Sequence, residues 1–528
     1  MSEHARLTRA AGSMSAVILL SRILGFIRMS VIARVFGAGM VTDAFFMAFR
    51  ISNILREVLA EGSMSAAFIP VFTEYLHTKS KEEARELASS IFYILLFILA
   101  GVVLLGIAFS PEIVNVIAHG FLKYPDKFAL TVSLNRIMFP YILFIGLSAV
   151  TMGVLNSMGS FTAPAFSPVM FNLSMIGAAL YLAPMMERPI VGLALGVVFG
   201  GMLQLLIQLP PLKKKGMGFF FKLNYRNSGV RKVGKLTVPV LGSQASVQVN
   251  IFVSSLIATY LPQGSVSFLI YATTLFQFPH GIFGISIVTA TLPAMSRQAA
   301  VKDYDGLKGT LSFGLRYIFF IMFPSMVGLI VLRVPITSLL FQRGTFTYQD
   351  TLGTAYALLF YAMGLWAYSG VRITNAAFYS LQDTRTPVVC AFVAVLINAA
   401  LSLALMGPLK QGGLALATAV ASSINMFVLL TIFRRRMGRI GAKKIVISAV
   451  KTAFASAVMA VVCYFIAQSD VWILSGHTLK KAEIVFTAIG AGVAAYALIL
   501  YLLKSEELSF IVNTYRMKSP LAFLKKTK

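Results

Sequence analysis

Apolar runs of about 20 to 28 residues, broken by Gly, Pro or charged clusters, recur from one end of this chain to the other. As an α-helix, a run of that length crosses the roughly 30 Å hydrocarbon core of a bilayer. Lipid offers no partner to backbone N–H and C=O groups, so only helices or closed barrels can span it. The runs are too long and too continuously apolar for the roughly 10-residue alternating strands of an outer-membrane barrel. Of the 528 residues, 58% are hydrophobic and only 12% charged, with mean hydropathy +0.81. A soluble chain carries about twice that charged fraction. The sequence therefore reads as an all-α polytopic membrane protein of about 14 transmembrane helices, from residues 10–36 to residues 482–504.

The net charge of +27 would suggest nucleic acid in a soluble protein, but its placement excludes that partner. Alternate loops collect Arg6, Arg9, Lys79, Lys81, Arg85, the Lys213–Lys235 stretch, Arg297, Lys302, Lys308, Arg385, the Arg434–Lys444 cluster and the tail from Lys504. The opposite loops hold only Lys123, Lys127, Arg188, Arg343, Lys410, Lys480 and Lys481. Positive charge accumulates on the cytoplasmic side of membrane proteins, which puts both termini there and gives the basic loops anionic lipid as their partner. The first apolar stretch has no small-residue cleavage site and contains arginines, so it reads as a retained helix. Cys390 and Cys463 lie in apolar runs, and the five histidines are dispersed without metal-ligand spacing.

The chain also repeats itself. TAPAFSPVMFNLSMIGAALYLAP resembles TRTPVVCAFVAVLINAALSLALMGP, and aligning Pro164 with Pro387 gives an offset of 223 residues. Pro70 in AAFIPVF and Pro293 in TATLPAM share that offset. Two tandem six-helix lobes follow, 1–211 and 236–434, joined by a basic cytoplasmic linker at 212–235 and extended by a helix pair and basic tail at 435–528. Six is even, so the lobes share one orientation, the arrangement of parallel-repeat transporters with a site near the midplane and alternating access.

Charge inside the spans is concentrated in the first two. SRILGFIRMS places Arg22 and Arg28 within a continuous apolar helix, and the next span adds Asp43, Arg50, Arg56, Glu57 and Glu61. An arginine at a helix centre costs roughly 2.5–3.5 kcal/mol on insertion scales. Arg34, Arg333 and Lys451 lie near span ends, where long side chains reach the headgroups. Arg22 and Arg28 have no such escape. These charges could simply neutralise one another between helices, but the bias towards arginine, whose planar fork grips phosphate bidentately, points to a large phosphorylated anion. At about 100° per residue Arg56 lies roughly 140° from Asp43 on a straight helix, so periodicity does not pair them. GVRKVGKL nearly satisfies a phosphate-loop pattern, but Leu236 stands where magnesium needs Ser or Thr and a membrane span follows. With neither nucleotide nor metal motif, the chain reads as a non-enzyme without cofactors, driven by the membrane potential or a monovalent cation. GLALGVVFGG, with Gly192, Gly196 and Gly200, reads as close helix packing.

The stretch Ser21–Tyr75, together with FPYILFIGLSAV, NSMGSFTAPAFSPVMFN, FPHGIFG and LFQRGTFT, resembles the MurJ (MviN) lipid II flippases of the multidrug/oligosaccharidyl-lipid/polysaccharide exporter superfamily. The resemblance implies a V-shaped, two-lobed bundle in the bacterial inner membrane, acting as a monomer. Its substrate would be lipid II, the undecaprenyl-diphosphate-linked peptidoglycan precursor, carried from the cytoplasmic to the periplasmic leaflet. It implies cavity residues Ser21, Arg22, Arg28, Asp43 and Arg56, with Asp43 acting together with the arginines on the diphosphate and in switching. Family members carry an acid after the second arginine, where this chain has Met29, and an Asp-Arg pair and an acid in the eighth span. Here that span offers Thr273, Thr274 and Gln277 as hydrogen-bond donors. A sodium site of some members corresponds to Gln244, Asn398, Ser402 and Thr418, without a carboxylate. The same architecture would also suit a flippase for another polyprenyl-diphosphate glycan, a cation-coupled drug exporter or a non-transporting cell-wall scaffold.

Overall fold

The structure is a computed structural model that describes residues 3–58, 63–510 and 512, without the side chains of 3–16, 63–65 and 242–247. Glu61 and the Gln244 side chain therefore lie outside the described residues. The first repeat runs through α1 (Glu3–Phe36), α2 (Met40–Arg56), α3 (Ser63–Thr78), α4 (Lys81–Ala108), α5 (Ser110–Ile117), α6 (Pro125–Met138), α7 (Tyr141–Ser157), α8 (Thr162–Gly177), α9 (Pro189–Leu206) and α10 (Leu209–Lys214). The second comprises α11 (Ser228–Ala258), α12 (Ser265–Pro279), α13 (Ile285–Ala300), α14 (Tyr304–Val331), α15 (Arg333–Phe341), α16 (Tyr348–Met363), α17 (Leu365–Ser380) and α18 (Arg385–Met437). The extra pair is α19 (Ala442–Ala467) and α20 (Thr478–Leu502). No strand occurs among the described residues. Nine helical segments among them are long and apolar enough to cross a membrane, and α18 alone holds two of the expected spans.

The repeat is written into the element bounds. Those of α4 shifted by 223 residues are those of α14, and the starts of α5 and α8 map onto the starts of α15 and α18. A π-helical turn opens at Glu57 after α2, and its counterpart His280–Gly284 follows α12 at the same offset. Local chemistry sets several of these ends. Ser80 and Glu83 form a capping box that starts α4, and Thr347 with Asp350 does the same for α16, each satisfying N–H groups that the first helical turn leaves open. Helix α18 breaks at Lys410, whose φ of 48° follows Gly407-Pro408 and precedes Gly412-Gly413. Proline removes a backbone donor and the glycines accept the sharp approach, so one run becomes two spans.

The chain forms two compact units, residues 1–267 with 344–346, and residues 268–343 with 347–528. In the first, Phe68, Phe72, Leu87, Val150 and Val154 make a core that also takes in Leu212, Met217 and Val233 from the basic linker. The linker is thus strapped down: Arg85 Nε donates to the Gly218 carbonyl at 2.7 Å, and Phe219 stacks on Phe92 at 4.1 Å. Helix α11, which opens the second repeat in sequence, packs on α3 and belongs to the first unit. In the second unit α19 and α20 close on α14 around Phe320, Met459, Ala488 and Tyr496, and Tyr496 Oη donates to the Phe320 carbonyl at 2.6 Å.

Lipid tails are as apolar as leucine, so membrane helices associate through close packing. The Gly192–Gly200 face of α9 does this. A Cβ at Gly192 would lie 2.7 Å from Ala183 Cα, and one at Gly200 would lie 2.6 Å from the Phe171 ring of α8. We expect Gly200→Leu to push α9 off α8 and cost about 1–3 kcal/mol. The thermal unfolding midpoint of the detergent-solubilised protein should fall accordingly, and an unchanged midpoint would contradict the close contact.

The two ends of α18 are tied by Asp383, which accepts from Thr386 N at 2.9 Å, Thr386 Oγ1 at 2.6 Å and Arg436 Nη1 at 2.5 Å. The Thr386 hydrogen bonds, then Arg436, hold its carboxyl below the usual carboxylate range. A carboxyl depressed on folding stabilises above its unfolded value and loses that contribution as pH falls through the folded one. Asp383→Asn should therefore flatten the acid limb of the stability profile, measured by unfolding midpoints below about pH 5, and leave the alkaline limb unchanged.

Candidate functional site

The turn from α1 to α2 is built around Gly37, at φ +64°, where a Cβ would stand 2.8 Å from the Thr345 carbonyl oxygen. Only glycine takes that backbone conformation without strain. Thr42 Oγ1 donates to the Phe36 carbonyl at 3.0 Å, and Thr345 N donates to the Arg34 carbonyl at 3.0 Å. This turn delivers Asp43, in the first turn of α2, to a fully buried position.

The partners of Asp43 differ from those the family resemblance implies. Its Oδ2 accepts from Lys127 Nζ at 2.7 Å and Gly264 N at 2.7 Å, while Oδ1 accepts from Ser267 N at 2.8 Å and Ser267 Oγ at 2.6 Å. Lys127, assigned to a loop in the sequence, lies in the first turn of α6 and is 1% exposed. Its ammonium also sits 4.0 Å from the Phe121 ring centroid. Asp43 therefore pairs with a buried lysine and caps the N-terminus of α12, where the helix dipole favours an anion. Neither Arg28 nor Arg56 touches it in this structure, and Arg56 lies about 20 Å further along α2.

Arg28 has a different surrounding. Its guanidinium lies 5.5 Å from the Phe171 ring centroid, and its Nε is buried with no hydrogen-bond partner among the described residues. Phe171 in turn stacks on Phe49 at 6.1 Å and meets Tyr141 at 5.5 Å. Glu57 lies 3.6 Å from Arg56 and accepts from Gln248 Nε2 at 2.5 Å. Ser21 offers its carbonyl to Asn172 Nδ2 at 3.1 Å, Arg22 is exposed on α1, and Met29 is buried at 6% exposure. The structure thus places Arg28 beside an aromatic cluster and sets Asp43 apart with Lys127. Sequence reasoning missed Lys127, Ser267, Phe171 and Gln248, since none carries an unusual signal in its own segment.

In the second unit, Thr273 Oγ1 and Thr274 Oγ1 donate to the carbonyls of Leu269 and Ile270 at 2.6 and 2.9 Å, so both hydroxyl protons are used within α12. Gln277 on the same helix is exposed. Asn398 Oδ1 lies 3.4 Å from Ser402 Oγ and 3.5 Å from Thr418 Oγ1, which gathers these three polar groups across the break in α18. Among the described residues no group of three or more His, Cys, Asp or Glu side chains is placed to hold a metal ion.

A helical membrane bundle with an internal repeat and a half-buried arginine in its first helix is an architecture of transporters. Residues 32–483 match the family model described as Lipid II flippase MurJ. A protein of Vibrio cholerae named "Probable lipid II flippase MurJ" is 36% identical over 505 residues, spanning 94% of this chain and 96% of its own length. The "Lipid II flippase MurJ" of Burkholderia cenocepacia is 37% identical over 435 residues, spanning 81% of this chain and 84% of its own. A solved structure described as "Lipid II flippase MurJ, inward closed conformation" superposes with a TM-score of 0.77 at 27% identity, over 93% of this chain and 99% of that one. An inward-facing multidrug resistance MATE family transporter shares the fold, with a TM-score of 0.64 at 14% identity over 81% of this chain and 98% of its own. This chain belongs to the lipid II flippase MurJ family.

The buried pair yields a stability test. Removing one partner strands the other charge, which costs about 3–5 kcal/mol, whereas removing both is much less costly. Lys127→Met should lower the unfolding midpoint in detergent strongly, and adding Asp43→Asn should restore most of the loss. Additive losses in the double variant would show that the two groups are not coupled.

Proposed function

We infer that this protein moves lipid II from the cytoplasmic to the periplasmic leaflet by alternating access, with Arg22, Arg28 and Arg56 receiving the diphosphate. Family membership supports the substrate. The observation that carries the site is Arg28: a half-buried arginine with a buried, unanswered Nε and no carboxylate within ion-pair distance among the described residues. A half-buried arginine without a matched acid is relieved by an anion that brings the missing charge to it. A diphosphate has the charge and the oxygen geometry to accept from an arginine fork. Phe171 beneath Arg28 fixes the fork while leaving its donors available.

Asp43 has a separate part in this reading. Held by Lys127, Gly264 and Ser267, it fastens the starts of α2, α6 and α12, and exchange of those partners would accompany the change of access. Thr273, Thr274 and Gln277 line the substrate path in the second lobe, with the threonine oxygens left as acceptors. The termini lie in the cytoplasm by the distribution of positive charge, and the energy comes from the membrane potential or a monovalent cation.

The test is replacement of Arg28 by Ala and, separately, by Lys in cells depleted of their own flippase, scoring membrane insertion and periplasmic lipid II. Normal insertion is expected for both. Arg28→Ala should lose flipping at least tenfold, and Arg28→Lys, which keeps charge but not the fork, should recover only part. Full rescue by Arg28→Ala would remove the diphosphate role, and absence of flipping by the unaltered protein would remove the substrate assignment.

A further inference from the structure

The near phosphate-loop GVRKVGKL has a use that its backbone does not reveal. It forms the first turns of α11, and from Arg231 onward its amides run into helix hydrogen bonds. Gly229 N is already taken by Asn227 Oδ1 at 2.8 Å and Tyr75 Oη at 3.0 Å. Its side chains do something else. Arg226, Ser228, Arg231, Lys232, Lys235 and Leu236 line an open cavity of about 440 Å³. Lys232 is answered by Glu74 at 2.6 Å, and Lys222 nearby by Glu86 at 3.7 Å. Among the described residues no carboxylate pairs with Arg226, Arg231 or Lys235. Like charges at i and i+4, as with Arg231 and Lys235, oppose the helix that carries them.

The surroundings specify the kind of anion. Val238 follows Arg231 and Lys235 on the same helical stripe and is 70% exposed, while Leu236 is 40% exposed. On the linker that precedes α11, Phe221 and Tyr225 stand 65% and 66% exposed, and aromatic residues are enriched at the headgroup level of a bilayer. A cationic recess with an exposed apolar residue one turn further along the same helix face matches an amphiphile with a phosphate head.

We propose that Arg226, Ser228, Arg231 and Lys235 form a phosphate-binding site, separate from the Arg28 site, that takes the headgroup of an anionic membrane lipid. The guanidinium of Arg231 and the ammonium of Lys235 supply charge-assisted hydrogen bonds, Ser228 supplies a hydroxyl, and the acyl chain follows Val238 on the same helical stripe. The site rests on α11 and its linker alone and does not depend on what the protein transports.

The test uses the full-length protein in two arms. In the first, protein from nanodiscs of phosphatidylcholine with phosphatidylglycerol is compared with protein from phosphatidylcholine alone, and retained lipid is counted by native mass spectrometry. In the second, delipidated protein in detergent is titrated with inorganic pyrophosphate. Each arm includes the double variant R231Q/K235Q, the charge-retaining R231K/K235R, and R434Q/R435Q as an equal charge loss on another exposed basic run. We expect R231Q/K235Q to lower phosphatidylglycerol retention about tenfold, with R231K/K235R and R434Q/R435Q close to the unaltered protein. Pyrophosphate binding that disappears only in R231Q/K235Q would confirm the phosphate site and assign it a soluble ligand in place of a lipid headgroup. Equal losses in R231Q/K235Q and R434Q/R435Q, or no binding in either arm, would overturn the proposal.

Discussion

The buried Asp43–Lys127 pair is the constraint around which the first compact unit is arranged. Taking a carboxylate and an ammonium out of water costs several kcal/mol per ion. Here the cost is met by a 2.7 Å contact between them and by three further donors on the carboxylate, two of them backbone N–H groups at the start of α12. None of these contacts is local in sequence. To make them, the α1–α2 turn, the entry to α6 and the entry to α12 must meet at one place, and the left-handed backbone at Gly37 and the tight contact with Thr345 serve that meeting.

Charge inside the bundle then divides into two kinds. At Asp43 every charge has its counterpart, as a structural element requires. At Arg28 the positive charge has no carboxylate partner among the described residues and rests on the Phe171 ring, which suits a ligand that brings negative charge with it. The remaining arginines and lysines within or beside spans are absorbed by helix ends. Arg333 donates to the Ile330 carbonyl at 2.7 Å and Lys451 to that of Leu503 at 2.8 Å. Arg316 meets Glu506 and Glu507.

Much of the fold was legible in the sequence because a bilayer imposes a one-dimensional rule. Length and apolarity of each run decide whether it spans, and prolines at a fixed offset reveal the duplication. That offset reappears in the bounds of α4 and α14 and in the paired π-turns. Two readings failed for a common reason. Lys127 reads as a loop residue because it lies in PDKF between apolar runs, yet the short segments α5 and His119–Lys123 turn it inward. Helix α11 reads as the first helix of the second lobe, yet its apolar face and capping turn fit α3 and Tyr75 of the first unit.

The sequence by itself determined that the chain is a bundle of membrane-spanning helices, and it displayed a 223-residue internal offset and a concentration of charge in the first two apolar runs. Those properties follow from each segment's own transfer energy and period, with no knowledge of neighbours. Only the tertiary structure decided which charge meets which: Asp43 with Lys127, 84 residues away, and Arg28 with the Phe171 ring. Pairing depends on three-dimensional proximity between distant segments, and neither hydropathy nor periodicity carries that information.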